Sequence, residues 1–194
     1  MKTMVSQSTE LTRCTVCNED AEPLTCEAYL KFMAFLPPNY KYCLCNYTVQ
    51  NGNISCISLR LPISTEEGAR TWFSQFQEKS LTTMRVDRTH PLSGRKNVFK
   101  ISYRCQHLTR SKATANEKFA TKNTNCRASA LITVKRTVKY SRSTDRHDKE
   151  YAMVVKMNFD HNHVLESADA LRYRDVAHST VQKFIQLFIA FCPA

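Results

Sequence analysis

The sequence has little glycine, few acidic residues and no long apolar run. Three glycines in 194 residues exclude a low-complexity or glycine-rich chain. No stretch approaches the roughly 18 apolar residues that a transmembrane helix needs, so we expect no membrane span. Residues 1–13 are polar and lack the apolar centre of a signal peptide. We therefore expect a nuclear or cytosolic protein.

The positive charge is concentrated in one part of the chain. The chain has 28 Lys and Arg against 17 Asp and Glu, a net charge of +11. Residues 79–156 hold 19 Lys and Arg against 5 Asp and Glu, which is +14, and the remainder is slightly acidic. Such a concentration is typical of a phosphate-binding surface, although a solvated basic surface gives the same composition.

Nine cysteines and two glycosylation sequons, at Asn46 and Asn53, would also fit a secreted disulfide-bonded protein. Without a signal peptide, reduced thiols and metal ligands account for the cysteines better. Six of them lie in residues 1–63, a segment without histidine. The pairs Cys14-x-x-Cys17 and Cys43-x-Cys45 are potential half-sites for a second zinc ion, and buried reduced thiols are the alternative.

Four residues within the basic region form a typical set of zinc ligands: Cys105, Cys126, His161 and His163. Two cysteines and two histidines are a common ligand set of closed, tetrahedral structural zinc sites. In a β-strand, residues two apart point to the same face, so both imidazoles of a His-x-His pair could reach one metal ion. With 20 residues between the cysteines, the site would connect separate strands of a sheet. The nearby His107 is a possible competing ligand, but a surface position is the simpler expectation.

Local patterns predict the secondary structure. Amphipathic helices are expected at 27–36 and from a Ser64-Thr65 cap to about 79. Asn51-Gly52 between apolar runs predicts a hairpin of strands 42–49 and 54–61. Further strands are expected at 82–89, 98–105, 126–138, 151–159 and 161–165. These patterns divide the chain into a cysteine-containing segment 1–63, a sheet domain 64–166 and a helical segment 167–194.

Three short strings in the sheet segment resemble a known superfamily. They are Tyr103-Arg104-Cys105, Cys126-Arg127-Ala128 and Phe159-Asp160-His161-Asn162-His163. Residues 84–165 resemble the WRKY / glial-cells-missing zinc-finger superfamily, in the branch of far-red-impaired-response proteins, FLYWCH domains and Mutator-like transposase N-termini. The resemblance implies an α+β fold with a small antiparallel sheet of four to five strands, stapled by one zinc ion and flanked by helices. It also implies binding to double-stranded DNA in the nucleus, in a transcription regulator or a transposon-derived protein.

In WRKY proteins, a strand ahead of the first cysteine enters the major groove. Similar spacing places residues 85–90, with Arg88 at the centre, at that strand. The chain lacks the WRKYGQK heptad, so the sequence specificity of WRKY proteins is not carried over. The candidate DNA contacts are the basic residues around the first cysteine and in the loop after it: Arg85, Arg88, Arg95, Lys96, Lys100, Arg104, Lys112 and Lys122.

Other functions fit the same residues less well. A domain of this fold could bind RNA or protein instead of DNA, or serve as a metal-stabilised scaffold. We expect no enzyme activity and no small-molecule substrate, because no acidic cluster for two catalytic metal ions is visible and His161-Asn162-His163 is not an HNH nuclease site.

The segment 167–191 has helical periodicity with an apolar stripe. We expect this helix to mediate self-association or to dock on a further domain, and packing against residues 1–63 is the alternative. An apolar helix that stops at the end of the chain is also consistent with a fragment of a longer protein.

Overall fold

The computed structural model describes residues 10–13, 27–91, 96–109, 123–137, 147 and 149–165. Within these ranges the chain forms two helices and seven strands. In chain order they are β1 (Glu10–Arg13), α1 (Glu27–Phe35), β2 (Lys41–Gln50), β3 (Asn53–Leu61), α2 (Glu66–Lys79), β4 (Met84–Thr89), β5 (Asn97–Cys105), β6 (Ser129–Lys135) and β7 (Met153–Asn158).

All seven strands belong to one sheet, in the order β1-β2-β3-β7-β6-β5-β4. β1 runs parallel to β2, and every other neighbouring pair is antiparallel. The α+β class is therefore confirmed, but the expected count of four to five strands is too low. The larger sheet arises because β3 pairs with β7, with Leu59 opposite Val155, so that the hairpin from residues 1–63 extends the same sheet.

Local signals place the hairpin and both helices correctly. Asn51 and Gly52 both have positive φ, at 51° and 73°, as a two-residue hairpin turn requires. Thr65 caps α2, since its hydroxyl accepts a hydrogen bond from the Gly68 amide at 3.1 Å. Glu66 and Glu67 lie in the first turn, where the helix dipole favours negative charge.

Two of the strand predictions need correction. Residues 161–165 form a bend and not a strand, because a turn follows β7: the Asp160 amide donates to the Asn158 side-chain oxygen at 3.1 Å. β6 is also shorter than expected and begins three residues after Cys126. The predicted helix 167–191 and its expected role in self-association lie outside the described residues.

Both helices cover the same face of the sheet. Strand alternation sends Ile101, Ile132 and Val155 to this face, where they are fully buried. The helices contribute a cluster of aromatic rings. The ring centroids of Phe73 and Tyr103 are 4.1 Å apart. We call the opposite side of the sheet the open face, since neither α1 nor α2 covers it.

A buried polar relay lies beneath α2. The Trp72 indole N–H donates to the Tyr42 hydroxyl at 2.9 Å, and that hydroxyl donates to the Pro37 carbonyl at 2.7 Å. Burial raises the pKa of Tyr42, so its hydroxyl keeps its proton and can act as the donor. The relay connects β2, α2 and the proline turn after α1 while satisfying each polar group.

Neither helix in the described part of the chain is long and apolar enough to cross a membrane.

We predict that Tyr42→Phe destabilises the fold by about 1–3 kcal/mol, because it leaves the buried Trp72 N–H and Pro37 carbonyl without this partner. Urea unfolding followed by tryptophan fluorescence measures the loss. Tyr40→Phe, a half-buried tyrosine in the same turn, is the control. Equal stabilities for the two variants would contradict a structural role for the relay.

Candidate metal centre

The sheet brings its four candidate ligands together at one end of the strands β5, β6 and β7. Cys105 is the last residue of β5, Cys126 lies just before β6, and His161 and His163 follow β7. Because β5, β6 and β7 are adjacent and antiparallel, the end of β5, the start of β6 and the end of β7 lie together. The Cys105 amide donates to the Ala128 carbonyl at 2.9 Å, which continues the pairing up to the cysteines.

The four side chains converge around a single point. Cys105 Sγ lies 3.2 Å from His163 Nε2, and Cys126 Sγ lies 3.5 Å from His161 Nδ1. The two ring nitrogens are 3.3 Å apart. All four ligand atoms lie within 4.8 Å of one another, and both cysteines are buried. The predicted quartet could therefore hold a metal ion, although its histidines reach this position from a bend and not from a strand.

The chemistry of the cysteines favours a cation. The Cys105 side chain is the strongest influence that lowers the pKa of Cys126 well below its ordinary value, followed by His161 and the backbone of Ala128 and Asn162, while burial opposes the shift. The lowered pKa favours the thiolate of Cys126, which is the form that binds metal ions. A buried negative charge surrounded by soft nitrogen and sulfur donors fits a cation better than it fits an apolar interior.

An amide clamp holds the ligand-bearing segments together. Asn162, between the two histidines, donates from Nδ2 to the Thr124 carbonyl at 2.6 Å. The Thr124 hydroxyl donates in return to Asn162 Oδ1 at 2.9 Å. Asn123 Oδ1 accepts from the amides of Thr109 and Asn125, both at 3.2 Å, and ties the segment before Cys126 to the residues after β5. This clamp was not predicted; its only signal in the sequence is the amide side chain enclosed by the His-x-His pair.

His107 and His161 also differ from expectation. His107 is 6% exposed and not a surface residue; its ring stacks on His163 with centroids 4.1 Å apart. Its backbone N–H donates to Cys105 Sγ at 3.4 Å, so it supports the cluster without joining the four ligands. His161 Nε2, the nitrogen that does not contact the other ligand atoms, is buried and has no hydrogen-bond partner among the residues that the structure describes. This orphaned atom is consistent with Nδ1 as the ligand nitrogen.

The candidate DNA contacts that the structure describes lie on and around β4 and β5. Arg85 and Arg88 are exposed on β4, and Lys96 is exposed just before β5. Lys100 and Arg104 are half-buried and alternate with the buried residues of β5, as the sequence predicted. Arg95, Lys112 and Lys122 lie outside the described residues.

The structure brings together only part of the N-terminal cysteine set. Cys43 and Cys45 are buried on β2 and pack against Tyr151, whereas Cys56 on β3 is exposed. Cys14, Cys17 and Cys26 lie outside the described residues. In the part of the chain that is described, the cluster of Cys105, Cys126 and the two histidines is the one group of three or more potential ligands.

No known protein family, curated protein or solved structure matches this chain. The resemblance to the WRKY / glial-cells-missing superfamily therefore stays a prediction from the residues of the metal centre.

We predict that Asn162→Ala lowers metal affinity by about 10- to 100-fold, the usual cost of losing a residue that orients the ligands. The clamp holds the two histidines against the segment of Cys126. Without it, these segments lose more conformational freedom when the metal binds, which weakens binding. Competition with a chromogenic chelator measures the affinity. Asn46→Ala, an exposed asparagine on β2, is the control, and an unchanged affinity in Asn162→Ala would contradict the role of the clamp.

Proposed function

We propose that this chain is a zinc-dependent module that binds double-stranded DNA through the β4–β5 ribbon. It would belong to a nuclear transcription regulator or a transposon-derived protein. The observation that carries the proposal is the convergence of Cys105, Cys126, His161 and His163 at the end of β5, which pairs with the basic strand β4. Binding of RNA or protein by the same surface is the alternative, and competition experiments distinguish it.

Zinc is the metal that best fits the ligand spacing. Zinc binds cysteine sulfur at about 2.3 Å and histidine nitrogen at about 2.0–2.1 Å, so a tetrahedral site separates two nitrogens by about 3.3 Å and a nitrogen from a sulfur by about 3.6 Å. The corresponding distances here are 3.3 Å between the nitrogens and 3.2 and 3.5 Å between nitrogen and sulfur. The ligand set is closed, with four protein donors, which is typical of structural and not catalytic zinc.

The position of β4 favours contact with a DNA groove. β4 is at the end of the sheet order and pairs with β5 on one side. The major groove of B-DNA is wide enough to admit a two-stranded ribbon. The β4–β5 pair has a bulge between Val86 and Arg88, and bulges commonly redirect side chains at sheet edges. Arg88 is therefore our choice for a base contact, since arginine can bind guanine O6 and N7 together.

The arrangement of charges on the ribbon also favours an anionic partner. Arg85 lies directly opposite Arg104, and like charges in this position repel each other. Asp87 offsets part of this charge through an ion pair with Arg104 at 3.5 Å. Lys96 and Lys100 add further positive charge next to the same ribbon. A phosphate group between these side chains would relieve the repulsion and release counterions.

We predict one zinc ion per chain, and we expect its removal to unfold the sheet domain, because binding energy at structural zinc sites is also folding energy. Cys126→Ser should lose both the zinc and the folded circular dichroism signal. Elemental analysis and chelator titration measure these effects. Cys56→Ser, the same change at an exposed cysteine, should leave both unchanged. A wild-type protein free of zinc, with a spectrum indifferent to chelator, would refute the assignment.

We predict that Arg88→Ala costs about 1–3 kcal/mol of discrimination at one base pair, whereas Lys100→Ala weakens all duplexes alike and flattens the salt slope by about 1. Selection from a random duplex library, followed by titration at several salt concentrations, measures both effects. Lys31→Ala, on α1 on the other side of the sheet, is the control for the loss of one charge. A uniform loss on every duplex would make Arg88 a phosphate contact, and stronger binding to RNA would favour the alternative function.

A further inference from the structure

The open face of the sheet contains a groove that shares Arg104 with the proposed DNA contacts and extends beyond them to β2. The groove has a volume of about 1030 Å³ and is lined by residues of six strands, from β2 to β4. At about 4.8 Å between neighbouring strands, it extends for about 24 Å across the sheet. It is therefore at least as large as a typical small-molecule pocket of about 300–1,000 Å³, and it is elongated.

The groove has a positively charged lining. Arg104, Arg127 and Lys156 line it together with a single acidic residue, Asp87, which pairs with Arg104. Lys156 lies on β7, near the middle of the sheet, and its side chain is exposed. It is three strands from β4, a distance of about 14 Å. The positive charge of the groove is thus not confined to the β4–β5 ribbon.

Hydroxyl and apolar side chains flank Lys156 along one row across the sheet. In this row Lys156 is flanked by Ser58 on β3 and Leu131 on β6, and Ser102 on β5 follows Leu131. Hydroxyl and basic side chains are the usual contacts of phosphate and sugar groups. Leu131, half-buried among them, provides an apolar surface of the kind that accepts an unstacked base.

The metal centre and the groove share the same end of the sheet. Arg104 immediately precedes Cys105, and Arg127 immediately follows Cys126. Alternation directs the cysteines towards the buried side, and Arg104 and Arg127 line the groove. The four ligands therefore determine the positions of two of the three groove cations.

We propose that this groove binds single-stranded nucleic acid, with the phosphates on Lys156, Arg104 and Arg127 and at least one base against Leu131. Charge complementarity identifies the partner as a polyanion. The presence of cationic, hydroxyl and apolar groups in one groove favours a single strand over a duplex, because only a single strand presents base faces as well as phosphates. The inference does not depend on β4 as a reader of duplex DNA.

The test is fluorescence anisotropy of the full chain with labelled oligothymidine and oligouridine of about 12 nucleotides, a length within the usual range of single-strand sites. We expect Lys156→Gln to weaken binding of the single strand about fivefold and to flatten its logarithmic salt slope by about 0.7, the value for one lost contact. Because thymine has a methyl group that uracil lacks, oligodeoxyuridine is the matched partner of oligouridine for comparing the two sugars. Lys31→Gln, which removes the same charge from the helical side, should have less than a twofold effect.

A duplex measured in parallel separates this inference from the proposed function. Lys156→Gln should leave duplex affinity unchanged, and Arg88→Ala should reduce it. Equal effects of Lys156→Gln and Lys31→Gln on the single strand, or an equal loss on single strand and duplex in Lys156→Gln, would overturn the single-strand site. Displacement of the oligomer by an acidic peptide of equal charge and at equal concentration would also overturn it, since the groove would then be a general polyanion surface.

Discussion

The antiparallel pairing of β5, β6 and β7 determines where the functional side chains of this protein lie. The pairing brings Cys105, Cys126 and the His161–His163 turn to one edge of the sheet, although up to 58 residues separate them in the chain. The same pairing lines up Ser102, Leu131 and Lys156 across the open face. A register slip of one residue in β6 would exchange the two faces of that strand and disrupt the row.

The candidate metal centre is the place where this fold buries charge, and buried charge lowers the stability of the folded state. Two buried cysteines and two imidazoles lie close together, and the lowered pKa of one of the cysteines favours its thiolate. A buried charge without a counter-charge is among the most destabilising features that a fold can contain. The hydrogen bonds of Thr124 and Asn162 bring the segments together but do not neutralise this charge. A divalent cation would neutralise it, which is why we regard the centre as part of folding and not as an addition to it.

Local chemistry made much of this structure predictable. The Asn51-Gly52 turn, the Thr65 cap and the alternation in β5 depend on neighbouring residues, and each is observed as predicted. The four candidate ligands were identifiable from residue type and from the His-x-His spacing. The full extent of the sheet was not predictable, because the pairing of β3 with β7 and the parallel pairing of β1 with β2 depend on contacts between distant residues. The strand predicted at 161–165 was wrong. A His-x-His pair can direct both imidazoles to one point from a turn as well as from a strand, so the pattern alone could not distinguish the two.

The ion pair between Asp87 and Arg104 lies where the two basic surfaces meet. Its side chains are 29% and 21% exposed, and its closest approach is 3.5 Å. Partly exposed pairs of this kind contribute at most about 1 kcal/mol, so a phosphate group could replace Asp87 at little cost. Without an anion, the carboxylate reduces the repulsion between Arg104 and Arg85. Asp87 therefore offsets a small part of the positive charge on this side of the sheet, and the guanidinium of Arg104 stays partly exposed.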